Sequence, residues 1–86
     1  MNIMHITEVR VRRVETNGRT KGIASITIDG DFVVKDIKVV EGPNGLFIAM
    51  PSRRNYNGTY RDVAHPITSE ARELLREAIL SEYEKR

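Results

Sequence analysis

The sequence IASITIDGDFVVKDIKVVEGPNGLFIAM, residues 23–50, decides the fold of this chain. It contains three runs rich in Val, Ile, Thr and Phe, separated by Asp29-Gly30 and by Pro43-Asn44-Gly45. These turn residues tolerate positive φ and favour tight connections between antiparallel strands. The stretch therefore predicts three consecutive strands of an antiparallel meander.

Two more turn signals extend the meander in both directions. Asn17-Gly18 precedes the quoted stretch and Asn57-Gly58 follows it, and each lies between strand-like runs. We therefore predict an α+β protein, with a four- to five-stranded antiparallel meander sheet over about residues 3–63 and a C-terminal α-helix.

Three strand-like runs depart from simple alternation. The first alternates until Arg13-Val14, which predicts a bulge near Arg12 and Arg13. The third changes parity across Lys35-Asp36, which predicts a second bulge or a strand shared by two partners. Residues 46–50 are apolar on both faces, which predicts a central or interface strand.

After His65-Pro66 the apolar period changes from that of a strand to that of a helix. The spacing predicts a helix over about residues 69–84, with Thr68 or Ser69 as N-cap and Glu70 in the first turn. Its apolar stripe consists of Ala71, Leu74, Leu75, Ala78, Ile79 and Tyr83. One such helix covers only one face of the sheet, so a homodimer is the simplest way to cover the strand at 46–50.

Length and composition define the class of protein. The 86 residues suffice for one domain, expected over residues 1–86, and a core of that size gives only about 3–5 kcal/mol of stability. The chain has no cysteine, so disulfides and the common zinc sites are excluded. There is no long apolar stretch or signal peptide, so we expect a soluble, cytoplasmic protein without membrane insertion.

The sequence offers little for catalysis. Asp62 and His65 are close enough to suggest an acid-base or metal pair, but neither a third ligand nor a nucleophile accompanies them. The alternative is that His65 fixes the turn into the helix and Asp62 satisfies backbone donors. We predict no enzyme activity, no cofactor, no metal and no small-molecule substrate.

The most one-sided charge lies in residues 51–65, which carry three arginines and one acid. Arg53 and Arg54 follow a strand-ending proline, and Arg61 returns across the Asn57-Gly58 turn, where it could lie opposite them. Tyr56 and Tyr60 lie between these cations. Cations interleaved with rings suit phosphate contact and base stacking, whereas the competing interpretation is an ordinary solvated hairpin.

The helix carries two further candidate nucleic-acid contacts. Arg72 and Arg76 share one helix face, but Glu73 and Glu77 flank them, so salt bridges for solubility are the competing role.

The chain resembles the SpoVG family, the small bacterial regulators known as septation or stage V sporulation protein G. The resemblance covers about residues 7–83 and is carried by the segments DFVVKDIKV, GLFIAMPS and RDVAHPI. It implies a sheet followed by a C-terminal helix, a dimer, and a regulator that binds DNA or RNA in septation, sporulation or virulence. The family's basic pair after Met-Pro-Ser corresponds to Arg53 and Arg54, whereas the loop Asn55–Gly58 departs from the family pattern.

Together these observations predict a nucleic-acid-binding regulator that contacts phosphates of DNA or RNA through a basic loop. The alternative is an adaptor of the cell-division machinery, in which the same basic rim binds an acidic protein.

Overall fold

The computed structural model describes residues 4–15 and 18–85, which form two antiparallel sheets and a C-terminal helix. The elements are β1 (Ile6–Arg13), β2 (Thr20–Ile28), β3 (Phe32–Gly42), β4 (Gly45–Ala49), β5 (Ser52–Arg54), β6 (Tyr60–Asp62) and α1 (Ser69–Glu84).

The main sheet has the strand order β1-β2-β3-β4, which is the predicted meander, and the α+β class is confirmed with four strands. The prediction of one sheet reaching to about residue 63 is wrong, because among the described strands β5 and β6 pair only with each other. Pro51 separates the two sheets, and its lack of an N–H ends the ladder after β4.

The turns within the main sheet follow the predicted chemistry. Asp29 and Gly30 both have positive φ, 54° and 71°, and Asp31 N–H donates to the carbonyl of Ile28 at 3.0 Å. Two consecutive positive φ values define the hairpin turn that matches the strand twist. Gly45, with φ of 116°, ends the β3–β4 turn, whereas the predicted Asn17-Gly18 turn includes a residue outside the described part.

The predicted irregularity at Lys35-Asp36 is a bulge. Ala24 pairs with Ile37 and Ile26 with Val34, so the two residues of β3 lie opposite Ser25 alone. Asp36 takes a φ of 62° to make room for the extra residue. The strand also has two partners, because β3 pairs with β2 on one side and with β4 on the other.

The prediction of a bulge near Arg12 and Arg13 is wrong. Both residues keep regular partners in β2, and the irregularity of β1 lies between Ile6 and Glu8. Arg13 remains on the helix side of the sheet because its guanidinium stacks 4.1 Å from the centroid of the Tyr83 ring and donates to the Tyr83 carbonyl at 3.1 Å. A cation that satisfies its donors at the helix end removes the need for a bulge.

The core lies between α1 and one face of the main sheet. Thr68 caps the helix by accepting from Ala71 N–H at 3.0 Å, as predicted, and the helix bounds agree with the expected ones. The buried hydrophobic side chains of the described residues are Val11, Ala24, Ile26, Ile37, Val39, Leu75 and Ile79. Leu74 belongs to the predicted stripe but is 38% exposed. No helix in residues 4–15 or 18–85 is long and apolar enough to cross a bilayer.

Residues 46–50 were predicted to form a central or an interface strand; the central position is wrong, and the interface position stays a prediction. Within the described chain, β4 is an edge strand that pairs with β3 alone. Leu46 and Ile48 pack towards the core, while Phe47 is exposed. Strand β4 is therefore apolar on both faces and also has one edge without a partner strand in the described chain.

Candidate functional site

The basic segment forms the small hairpin β5–β6. Arg53 lies directly opposite Arg61, Arg54 opposite Tyr60, and Ser52 opposite Asp62. Opposed residues in an antiparallel pair share a face, and successive residues alternate between faces. Arg53 and Arg61 therefore share one face of the hairpin, and Arg54 lies on the other, so the sequence neighbours Arg53 and Arg54 point to opposite sides.

Two asparagines shape the five-residue loop of this hairpin. Asn55 N–H donates to the Thr59 carbonyl at 2.7 Å, and Gly58 N–H donates back to the Asn55 carbonyl at 3.0 Å. The Asn57 side-chain oxygen accepts from Thr59 N–H at 3.2 Å and from its hydroxyl at 2.8 Å. The Asn57-Gly58 pair predicted this turn, whereas the closure of the loop through Asn55 was not predicted.

The three arginines of the hairpin have no counter-ion among the residues that the structure describes. Arg53, Arg54 and Arg61 are exposed, and no ion pair or side-chain hydrogen bond to them occurs within residues 4–15 and 18–85. Like charges directly opposite each other destabilise a strand pair. The Arg53–Arg61 pair therefore weakens the pairing of β5 with β6 and concentrates positive charge on one face of the hairpin.

Both tyrosines of the segment expose their rings. Tyr56 is fully exposed at the tip of the loop, and Tyr60 is 69% exposed beside Arg54 on the same face of the hairpin. Exposed aromatic rings offer flat apolar surfaces on which other rings can stack. The hairpin thus presents cations and rings together, as the sequence predicted.

The two helix arginines differ from each other. Arg76 donates to both carboxylate oxygens of Glu73, from Nη2 at 2.6 Å and from Nε at 3.2 Å. The hydrogen bonds from Arg76 lower the pKa of the Glu73 carboxyl, and those accepted by Glu73 raise the pKa of Arg76. Arg72 is exposed and has no such partner in the described chain. Of these two arginines, Arg72 is the one whose charge has no counter-ion in the described part of the chain.

The predicted site residues divide into two groups. Helix α1 packs on β1, β2 and β4, while β5 and β6 pack chiefly against each other. Arg53, Arg54, Arg61 and Tyr56 are brought together by the hairpin, and Arg72 and Arg76 lie on the helix.

The predicted role of His65 in the turn is consistent with its contact. Its ring Nδ1 lies 3.1 Å from the Pro66 carbonyl oxygen, just before the helix. Within the described residues, no three His, Asp or Glu side chains converge as metal ligands do.

The fold and the hairpin together define a class of small α+β proteins, in which one helix covers one side of an antiparallel sheet and a basic hairpin projects from it. The SpoVG family model matches residues 4–85. The chain belongs to the SpoVG family, as its sequence segments had indicated.

Close relatives span almost all of the chain. SpoVG 2 of Listeria monocytogenes serotype 4b is 57% identical over 82 residues, which cover 95% of this chain and 80% of the relative. SpoVG of Geobacillus thermodenitrificans is 58% identical over 82 residues, covering 95% of this chain and 85% of that protein. SpoVG of Brevibacillus brevis is 57% identical, with 95% and 86% covered. The names of all three describe septation proteins and none describes an enzyme.

Proposed function

We propose that this protein is a cytoplasmic, non-enzymatic regulator that binds DNA or RNA through the β5–β6 hairpin and acts in septation or sporulation. The septation role is carried over from the names of the relatives. The observation that supports nucleic-acid binding is the hairpin itself, where Arg53 and Arg61 oppose each other without a counter-ion in the described chain. Phosphate oxygens would supply that missing negative charge.

The ligand chemistry follows from the exposed groups. Guanidinium groups bind phosphate in a bidentate manner, and the exposed rings of Tyr56 and Tyr60 suit stacking with bases. Neither contact reads a base edge, so we expect limited sequence preference. Arg72 adds a weaker contact, whereas Arg76 is largely neutralised by Glu73.

A salt titration of the unmodified protein tests this function. Three arginine–phosphate contacts per protomer should make the slope of log affinity against log salt about −3 per protomer on duplex DNA. Affinity would be measured by fluorescence anisotropy with random-sequence DNA and RNA. An adaptor that binds only an acidic protein should instead show no more affinity than a weakly basic control protein of similar charge, and that result would contradict the proposal.

The proposed functional unit is a homodimer formed through the edge of β4. Residues Gly45–Ala49 contain no charged residue or proline, which are the usual protections of a free edge, whereas the opposite edge, β1, carries alternating charges. Pairing of two β4 edges about a two-fold axis would satisfy their free backbone groups and double the number of hairpins.

Light scattering at micromolar concentration is expected to give twice the mass of one chain. Amide exchange should be slow along β4 at that concentration and faster on dilution, because the edge amides lose their partners when the dimer dissociates. A single-chain mass, with β4 amides exchanging at the same rate at all concentrations, would contradict this interface.

A further inference from the structure

The sheet has a second face that the helix does not cover. We call it the open face, and it carries side chains of β1, β2, β3 and β4 that alternate with the core residues. Its exposed cations without a counter-ion in the described chain are Arg12, Lys35 and Lys38. Of its acids, Glu8 is already paired with Arg10 at 3.3 Å, and Asp36 lies at the bulge. The balance of free charge on this face is positive.

The cations alternate with apolar side chains across the strands. Arg12 of β1 pairs with Ile23 of β2, Ile23 pairs with Lys38 of β3, and Lys38 pairs with Ala49 of β4. Neighbouring strands are about 4.8 Å apart, so Arg12 and Lys38 lie roughly 10 Å apart with Ile23 between them. Val33, on the same face, is 49% exposed. The row therefore presents two separated charges above an apolar floor.

The open face continues into the base of the hairpin. A groove of about 740 Å³ is lined on the sheet side by Ile23, Lys35 and Lys38, and on the hairpin side by Ser52 and Val63. A smaller groove on the same face, nearer to β1, is lined by Arg10, Arg12, Ile23 and Lys35. The two grooves share Ile23 and Lys35, so a continuous track runs from the hairpin across the sheet to β1.

We infer that this track is a second contact surface for nucleic acid and that it takes a single strand. The inference rests on the proposed function and extends it to the class of ligand. A duplex presents its phosphates outward and keeps its base faces stacked, so it has nothing to place on Ile23 and Val33. A single strand exposes its bases to an apolar floor while its phosphates reach the flanking cations, which matches the alternation of this face.

The test compares three proteins on two ligands. The variant Arg12→Ala with Lys38→Ala should bind a thymidine oligonucleotide of about 20 residues roughly tenfold more weakly than the unmodified protein, with a salt slope flatter by about 1.4 per protomer. Its binding to a duplex of the same length should not change. Lys85→Ala is the control, because it removes an exposed cation at the C-cap of α1, on the opposite side of the sheet from the open face. It should bind both ligands as the unmodified protein does.

The possible results separate this inference from the proposed function. Unchanged single-strand affinity and slope in the Arg12/Lys38 variant, while a hairpin variant loses binding, would overturn the open-face contact and leave the hairpin site standing. Equal losses on single strand and duplex would overturn the single-strand assignment. If the unmodified protein binds neither ligand, both the proposed function and this inference fail.

Circular dichroism and thermal midpoints would establish that each variant is folded. Lys35→Ala provides an independent variant on the same track.

Discussion

Leu75→Ala should unfold a large share of the protein at room temperature, whereas Leu74→Ala should barely affect it. Leu75 is 3% exposed and packs in the core beside Ile79, while Leu74 is 38% exposed. Truncating a buried leucine costs about 2–5 kcal/mol, which is comparable to the roughly 3–5 kcal/mol that a core of this size provides.

The pair is well matched because the two substitutions are identical and adjacent on one helix, so the intrinsic helix propensity changes equally in both. Urea unfolding followed by circular dichroism, at one fixed protein concentration, would give both free energies. A larger loss for Leu74→Ala than for Leu75→Ala would mean that the helix presents a different face to the sheet.

Local chemistry made much of the fold predictable. The positive φ of Asp29 and Gly30 follows from the turn that such a pair favours, and the bulge at Lys35-Asp36 follows from the parity change that the strand must absorb. The bulge also determines which side chains of β3 lie on the open face, because without it Lys38 would point into the core. These features depend on neighbours in sequence, which is why the sequence alone could reveal them.

Long-range partners were harder to predict. The stacking of Arg13 on Tyr83 joins residues at opposite ends of the chain. Local alternation suggested a bulge at Arg13, whereas the structure has a regular strand whose arginine stacks on a ring and donates to a carbonyl of the helix. The edge position of β4 has a similar cause. An apolar run on both faces is typical of a central strand, and only the pairing of the next segment with itself leaves β4 at the edge.

The candidate site was predictable in composition and less so in geometry. The return of Arg61 to a position opposite Arg53 follows from the length of the hairpin loop. The opposite orientation of Arg54 depends on both residues being in strand conformation, which two adjacent arginines do not reveal. The neutralisation of Arg76 by Glu73 was one of two possibilities that the helix sequence allowed.

Arg53→Ala with Arg54→Ala should abolish most nucleic-acid binding and leave the fold intact. Both side chains are exposed and make no ion pair in the described chain, so their removal should change the free energy of unfolding by no more than about 0.5 kcal/mol. Loss of two phosphate contacts should flatten the slope of log affinity against log salt by about 2 per protomer.

A second pair of substitutions, Arg53→Ala with Arg61→Ala, distinguishes the two faces of the hairpin. It removes both cations from one face and leaves Arg54 with Tyr60 on the other. If the ligand contacts a single face, one of the two hairpin variants should lose clearly more binding than the other. If the ligand encloses the narrow hairpin, both should lose about the same. The Arg53/Arg61 variant should also be slightly more stable than the unmodified protein, because it removes two like charges that face each other.

The helix pair provides the control. Arg72→Ala with Arg76→Ala removes the same number of arginines, but Arg76 is already bound to Glu73, so the loss of affinity should be smaller and the slope should change by at most about 1. In this variant the Glu73 carboxylate loses its partner and adds local negative charge, which would itself weaken binding to phosphate. The measured loss is therefore an upper limit on what the two helix arginines contribute to affinity. Unchanged affinity and salt slope in the Arg53/Arg54 variant, together with a large loss in the helix variant, would move the binding surface from the hairpin to the helix.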